Sequence, residues 1–245
     1  MNKDMKSLSP VFIVSSERSG SNLLRRRISE AQNSYYGPSP IHLLKHFFFR
    51  QSLYQPLSND DNFFSLINAC LGLCYHHFSP WDEKIKTNDV LEFFNNNFSK
   101  EERNAVTIMH AIYSSYILKK GFDSYICKDN NLYDYIPYIK AYLPNAKFIF
   151  LVRDPRDFVL SQLKRNNQVR NIGYLARLWV EEQKKIFYHS KIECFDEYLL
   201  IRYEDFISQE DAMLSEVTQF LQVSRSRIKS QLFNTEDTKI HEWQN

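Results

Sequence analysis

A short polar loop with one glycine follows the first apolar run of the chain. Val11–Val14 is predicted to be a buried strand, and apolar residues at helical spacing predict a helix over 21–31. The loop between them carries Arg18, Ser19 and Gly20. Free N–H groups at a helix start bind anions, a glycine lets the backbone approach closely, and arginine and serine add donors. The residues that could contact a phosphate here are Arg18, Ser19, Gly20, Ser21, Asn22 and Leu23. A helix that simply starts after a capped loop explains the same pattern equally well.

A second polar motif follows the most apolar run in the sequence. Five consecutive apolar residues, 148–152, predict a strand that is buried on both faces, and Arg153-Asp154-Pro155 comes directly after it. Pro155 suits the first turn of a helix. Ligands bind at the carboxyl ends of strands in open α/β sheets, and a guanidinium group fits a phosphate well. A surface ion pair between Arg153 and Asp154 is the alternative.

The first loop differs from the loop that binds nucleoside triphosphates. The pattern G-x-x-x-x-G-K-[ST] is absent, and Arg18 occupies the place of the usual lysine. No paired acidic strand for Mg²⁺ is evident. A P-loop kinase or NTPase is therefore an alternative that a Mg²⁺ requirement would favour.

The elements around these motifs alternate between strands and helices. Further strands are predicted at 124–127 and 198–201, with helices at 132–142, 155–167, 172–190, 209–221 and 224–233. This alternation predicts an α/β fold, a three-layer α/β/α structure with a central parallel sheet of about four to five strands, similar to P-loop NTPases. Helices at 41–54, 62–78, 88–98 and 101–119 form a predicted helical insertion over about 35–120, after a loop at 35–40.

The composition predicts one domain over residues 1–245. Hydrophobic residues make up 43% of 245 residues, enough for one core, and the net charge of +2 gives no support for nucleic-acid binding. The sequence has neither a run of about 18 apolar residues nor the apolar core of a signal peptide, so we expect a cytoplasmic protein without a membrane span. Cys70 and Cys74 complete no metal-binding pattern, so no metal is expected.

The two loops together resemble a known family. Arg18-Ser19-Gly20 followed by Arg153-Asp154-Pro155-Arg156-Asp157 is similar to the sulfotransferases that use 3′-phosphoadenosine 5′-phosphosulfate (PAPS). The resemblance implies that the first loop binds the 5′-phosphosulfate. It also implies that Arg153 and Ser161, eight residues later, bind the 3′-phosphate.

The resemblance extends to two further segments and covers about residues 11–28 and 124–206. Tyr203-Glu204-Asp205 looks like the Y-E-D segment of the family, which places Tyr203 at the donor site. Lys128 follows the second predicted strand, where the family often has a lysine that reaches the transferred sulfuryl group. Arg18 and Lys128 are therefore expected to neutralise the charge that develops during transfer, without a metal.

The sequence also departs from the family pattern. Many cytosolic members have Lys-x-His with the histidine as general base, whereas this chain has Lys128-Asp129-Asn130. His42 is the first candidate for the missing base, and Asp129 and Glu17 come next. Ser21-Asn22-Leu23 replaces the Thr-Thr-Trp that supplies a stacking aromatic. The last residues, 242–245, look like the beginning of the C-terminal donor-binding segment, which is expected to be incomplete.

The resulting hypothesis is a sulfotransferase that moves a sulfuryl group from PAPS to a hydroxyl or amine. The acceptor is expected to be a small molecule or a carbohydrate, and the family makes a homodimer plausible. A degenerate relative that binds the nucleotide without catalysis is the other alternative. Donor binding without any transfer would favour it.

Overall fold

A five-stranded parallel sheet forms the centre of the protein. The computed structural model describes residues 9–164, 171–192 and 198–221. The strands are β1 Val11–Ser15, β2 Tyr35–Tyr36, β3 Ser124–Cys127, β4 Lys147–Val152 and β5 Tyr198–Arg202. They lie in the order β2-β3-β1-β4-β5, and every neighbouring pair is parallel.

Helices cover both faces of this sheet. Their bounds are α1 Ser21–Ala31, α2 Leu43–Phe47, α3 Asp60–His76, α4 Thr87–Asn97, α5 Ala105–Lys119, α6 Ile136–Tyr142, α7 Pro155–Leu163, α8 Ile172–Ile192, α9 Tyr203–Ser208 and α10 Glu210–Leu221. Short 3₁₀ turns lie at Arg50–Tyr54, Lys100–Glu102 and Leu132–Asp134. Among these helices, none combines the length and the apolar character that crossing a membrane requires.

The central strands are apolar on both sides, and this produces two cores. Alternate residues of a strand point to opposite faces. Phe12 and Phe148 belong to the core that α2–α6 cover, whereas Ile13 and Ile149 belong to the core under α1, α9 and α10. The predicted three-layer α/β/α fold is therefore confirmed.

Two local predictions differ from the structure. The segment 35–40 was expected to be a loop. Instead, Tyr35 and Tyr36 form the short strand β2, which pairs with Ser124 and Tyr125 of β3. Two residues are too few to show strand periodicity, so only the pairing reveals this strand. The helix expected at 41–54 is instead α2 followed by a 3₁₀ turn. The expected helix at 224–233 and the C-terminal segment 242–245 lie outside the described residues.

Candidate active site

The loop after β1 wraps closely around the start of α1. Gly20 has φ 85°, in the left-handed region, and is the N-cap residue of α1. The first hydrogen bond of the helix runs from the Leu24 N–H to the Gly20 carbonyl. The N–H groups at the start of α1, before Leu24, therefore have no partner within the helix. Ser19 Oγ is buried and has no hydrogen-bond partner among the described residues. These unpaired donors at the start of a helix suit an anion.

The remaining residues of the first turn differ in exposure. Ser21 is buried and Asn22 is exposed, while Leu23 is half-buried against the core beneath α1. The backbone N–H groups of these three residues, rather than the Leu23 side chain, are therefore the features that can bind a phosphate.

The two predicted phosphate-binding motifs meet at the carboxyl edge of the sheet. β1 and β4 are parallel neighbours, so Arg18 and Arg153 leave the sheet on the same side. Arg153 Nη1 donates to the carbonyl of Arg18 over 2.8 Å. Arg18 has φ 65°, and its Nε donates to Ser161 Oγ on α7 over 3.2 Å. Arg18 is thus in direct contact with two residues that lie 135 and 143 positions later in the chain.

The segment after β5 supports both motifs. The Arg153 guanidinium lies 4.5 Å from the centre of the Tyr203 ring. A Cβ at position 20 would clash with the same ring, so only glycine fits there. Glu204 Oε1 accepts a hydrogen bond from the backbone N–H of Asp154 over 2.9 Å. The Tyr203-Glu204 pair therefore orients the other two loops.

Asp154 has a structural role in this site. Its carboxylate accepts from the N–H of Arg156, which caps α7, and pairs with the Arg156 side chain at 2.7 Å. These hydrogen bonds from Arg156 lower the pKa of Asp154 to about 2. Arg153 Nε is buried and has no hydrogen-bond partner among the described residues, so Asp154 leaves it unpaired.

A second polar group lies where β3 ends. Lys128 is buried, and its Nζ donates to Asn130 Oδ1 over 2.8 Å. Asn130 Nδ2 in turn donates to Glu17 Oε1 over 2.8 Å. Burial lowers the pKa of Lys128, while Asp129 and Glu17 oppose this shift. Two successive side-chain hydrogen bonds therefore connect Lys128, through Asn130, to Glu17, which precedes Arg18.

His42 has its ring orientation set by the same segment. Its backbone has φ 54°, and its N–H donates to Asp129 Oδ1 over 2.9 Å. The backbone N–H of Asn130 donates to His42 Nδ1 over 3.0 Å. Burial, with a contribution from Lys128, lowers the pKa of His42 to about 4, so the ring is neutral at pH 7. With Nδ1 accepting, the ring hydrogen belongs on Nε2, and this tautomer has no free nitrogen lone pair.

Asp129 lies beneath this histidine. Its side chain is only 2% exposed, and burial raises its pKa. Its oxygen accepts from the His42 backbone, which stabilises the left-handed turn. Asp129 therefore shapes the segment that carries His42.

Helix α8 contacts the segments of both predicted phosphate-binding motifs. Trp179 Nε1 donates to the Arg153 carbonyl over 3.2 Å, and Gln183 Nε2 donates to Ser16 Oγ over 2.9 Å. The two residues are four positions apart, so they lie on one face of the helix. Glu182 is buried beside them, accepts from Tyr133 over 3.1 Å, and has its pKa raised by burial. These residues hold the start of each loop.

The residues described in 9–164, 171–192 and 198–221 include no group of three or more histidines, cysteines or acids that could hold a metal ion. The cationic side chains of the site include Lys128, which is buried, Arg153, which is half-buried, and Arg18, which is exposed. The arrangement is suited to holding a multiply charged anion.

Comparison with known proteins identifies the family. The profile described as "Sulfotransferase family" matches residues 10–227, which is most of the chain. The chain belongs to the sulfotransferase family. A sequence comparison with curated proteins finds no match.

Solved sulfotransferase structures share the fold of this sulfotransferase. The sulfotransferase domain from the curacin biosynthetic pathway is 19% identical with a TM-score of 0.57, over 88% of this chain and 74% of that one. The sulfotransferase domain of the Synechococcus PCC 7002 olefin synthase is 22% identical with a TM-score of 0.54, over 96% and 78%. Sulfotransferase STF1 from Mycobacterium tuberculosis H37Rv is 11% identical with a TM-score of 0.50, over 90% and 69%.

Several residues at the site of this sulfotransferase were missed by sequence reasoning. Trp179, Gln183 and Asn130 all contact predicted site residues. The only signal for the first two was their i, i+4 spacing on a helix, which is common to many helices. Asn130 could have been selected because it follows Lys128 and Asp129 directly.

Proposed function

We propose that this sulfotransferase moves a sulfuryl group from PAPS to a hydroxyl or amine of a small-molecule or carbohydrate acceptor. The observation that carries the proposal is the contact between the two phosphate-binding motifs. Arg153 bonds to the carbonyl of Arg18, and Arg18 bonds to Ser161. A donor with phosphates at both its 5′ and 3′ positions needs two such anion sites side by side.

The residues at the site fit this donor. Ser19 Oγ and Arg153 Nε are buried donors without partners among the described residues. A buried donor left unsatisfied costs about 1–3 kcal/mol, which an incoming anionic oxygen would recover. We assign Ser19, Ser21 and the first N–H groups of α1 to the 5′-phosphosulfate, and Arg153 and Ser161 to the 3′-phosphate.

Lys128 is the proposed catalytic cation. In the transfer, the bond from sulfur to the phosphate oxygen breaks and its electron pair leaves with the phosphate. A new bond forms from sulfur to the acceptor atom, which loses its proton. Lys128 is buried, and a charge is more effective in such a place than in water. Its hydrogen bond to Asn130 positions Nζ beside the loop.

Glu17 is the proposed proton acceptor. His42 was the first candidate, but its Nδ1 accepts from the Asn130 backbone, so the neutral ring is a donor at Nε2. Asp129 is deeply buried and bonded to the His42 backbone. Glu17 is half-buried, follows β1, and is connected to Lys128 through Asn130. We infer that His42 orients the acceptor and that Glu17 receives its proton.

The test is calorimetric titration of the full chain with 3′-phosphoadenosine 5′-phosphate (PAP) without Mg²⁺, with 5′-AMP as the control. Tighter binding of PAP is expected. Equal affinity for both nucleotides, or a requirement for Mg²⁺, would contradict the proposal and favour a nucleotide kinase. An assay that follows a labelled sulfuryl group from PAPS to a panel of sugars and phenols then distinguishes an active enzyme from a relative that only binds the nucleotide.

A further inference from the structure

Three large apolar side chains project into solvent from the segment between β1 and β3. Phe78 is 88% exposed, Leu53 79% and Phe49 76%, and no other large apolar side chain among the described residues is as exposed. Phe78 follows α3, whereas Phe49 and Leu53 lie four positions apart, at the end of α2 and in the 3₁₀ turn after it. A single exposed apolar residue needs no explanation, but two on one short segment indicate a binding surface.

The segment that carries Phe49 and Leu53 is anchored on its inner side. The ring of Phe48 packs against the ring of Tyr138, with the ring centres 4.5 Å apart. Gln51 Oε1 accepts a hydrogen bond over 2.8 Å from the backbone N–H of Ala105, the first residue of α5. The two exposed side chains are therefore held outward by a fixed backbone.

The charge around these two side chains is positive. Residues 31–59 contain neither aspartate nor glutamate, and Lys45 and Arg50 within this stretch are both exposed. Asp60 and Asp61 follow the stretch, and Asp60 is paired with two basic side chains at 3.0 and 2.7 Å. Exposed apolar side chains interleaved with cations are typical of segments that bind the interface of an anionic bilayer.

We propose that the surface formed by Lys45, Phe49, Arg50 and Leu53 docks the protein on a bilayer that contains anionic phospholipid. The two apolar side chains enter the headgroup region, and the two cations contact lipid phosphates. A segment of this length lies on a membrane and does not cross it. The surface begins shortly after His42, so the docked face is beside the candidate active site. The inference goes beyond the proposed function and does not depend on it.

The test is co-sedimentation of the full chain with two kinds of vesicle, phosphatidylcholine alone and an equimolar mixture of phosphatidylcholine and phosphatidylglycerol. The wild-type protein should partition onto the mixed vesicles at least about tenfold more strongly, because two cations approach the anionic surface. Added salt should weaken this binding.

Variants of the surface separate its apolar and charged parts. Phe49→Ser and Leu53→Ser should each lower the partition coefficient on mixed vesicles by roughly tenfold, because an inserting side chain is lost. Arg50→Gln should lower it by about fivefold.

The matched controls are on α8. Phe187 is 63% exposed there, so Phe187→Ser removes an apolar side chain of the same size from another surface. Lys184, paired with the exposed Glu181 at 3.1 Å, provides the charge control Lys184→Gln. Both variants should bind vesicles as the wild type does. The unfolding midpoint of each variant shows that it is folded.

A gain of signal tests the position of the contact directly. Phe49→Trp should retain binding, and its added tryptophan emission should move to shorter wavelength on mixed vesicles, because the ring leaves water. Phe187→Trp should show no such change. A shift in Phe187→Trp without one in Phe49→Trp would place the contact on α8 and overturn the inference.

Three further outcomes would overturn it. The first is a wild-type protein that does not bind mixed vesicles, and the second is equal binding to both kinds of vesicle. The third is vesicle binding that is unchanged in Phe49→Ser and Leu53→Ser. Retention on immobilised poly-glutamate without vesicle binding would be a case of the first and would indicate an acidic protein partner. Each outcome leaves nucleotide binding, and hence the proposed function, to its own test.

Discussion

Tyr203 packs its ring directly against Gly20, although Tyr203 begins α9 after β5 and Gly20 precedes the start of α1. The same ring also contacts Arg153, whose guanidinium lies 4.5 Å from the ring centre. One aromatic side chain thus sets the spacing between the loop after β1 and the loop after β4. The proposed donor site requires this spacing, because both loops are proposed to supply its anion ligands.

Gly20→Ala should destabilise the fold and abolish donor binding. The φ of 85° costs an alanine about 1–2 kcal/mol, and its Cβ would also clash with Tyr203. Gly121→Ala is the control, since Gly121 has φ 81° but nothing lies within 4 Å of the added Cβ. Denaturant unfolding should show a larger loss for Gly20→Ala than for Gly121→Ala. Equal losses would mean that the ring contact is unimportant.

Glu17→Gln should lower kcat by about 10²–10⁴-fold, the usual effect of losing a general base, with PAP affinity retained. The amide keeps an oxygen that can accept from Asn130. His42→Gln should cost less than about tenfold, because its ring nitrogen is already occupied by the Asn130 backbone. Single-turnover rates at saturating donor measure both effects. If His42→Gln lost turnover and Glu17→Gln did not, the roles would be reversed.

Trp179→Phe and Gln183→Leu should each weaken PAP binding by about fivefold, the effect of one lost neutral hydrogen bond. Each variant removes the donor that α8 provides to one loop, at the Arg153 carbonyl or at Ser16 Oγ. Lys184→Ala on the same helix is the control, because its partner is the exposed Glu181. Calorimetry measures the affinities. Variants that bind PAP as tightly as Lys184→Ala would show that α8 is not required to position the loops.

His110 should make the folded state less stable as the pH decreases from 6.5 towards 4. His110 lies in α5, where burial lowers its pKa to about 4. Within this window the unfolded state therefore binds a proton that the folded state does not. The free energy of unfolding then decreases by up to about 1.4 kcal/mol per pH unit for this group. His110→Phe should reduce this slope but not remove it, since the pKa of His42 is shifted in the same direction. Urea unfolding at pH 7 and pH 5 measures the slope, and an unchanged slope in His110→Phe would refute the assignment.

Sequence reasoning predicted the fold from strong local signals. The apolar runs of β1 and β4 must be buried on both faces, which requires a parallel sheet covered by helices. The two-residue strand β2 was missed because so short a segment has no periodicity, and its position depends on pairing with β3. The long helix predicted at 41–54 was wrong at its centre, where the chain changes to a 3₁₀ turn.

The sequence by itself determined which residue types could bind a polyanion, since Arg18, Gly20 and Arg153 follow strands that must share one edge of a parallel sheet. Only the tertiary structure decided what each side chain faces. The backbone angle of Arg18 directs its guanidinium to Ser161, and the Asn130 N–H determines which nitrogen of His42 accepts. Such choices depend on distances between distant segments, and hydrophobic patterning carries information only about which face of an element is buried.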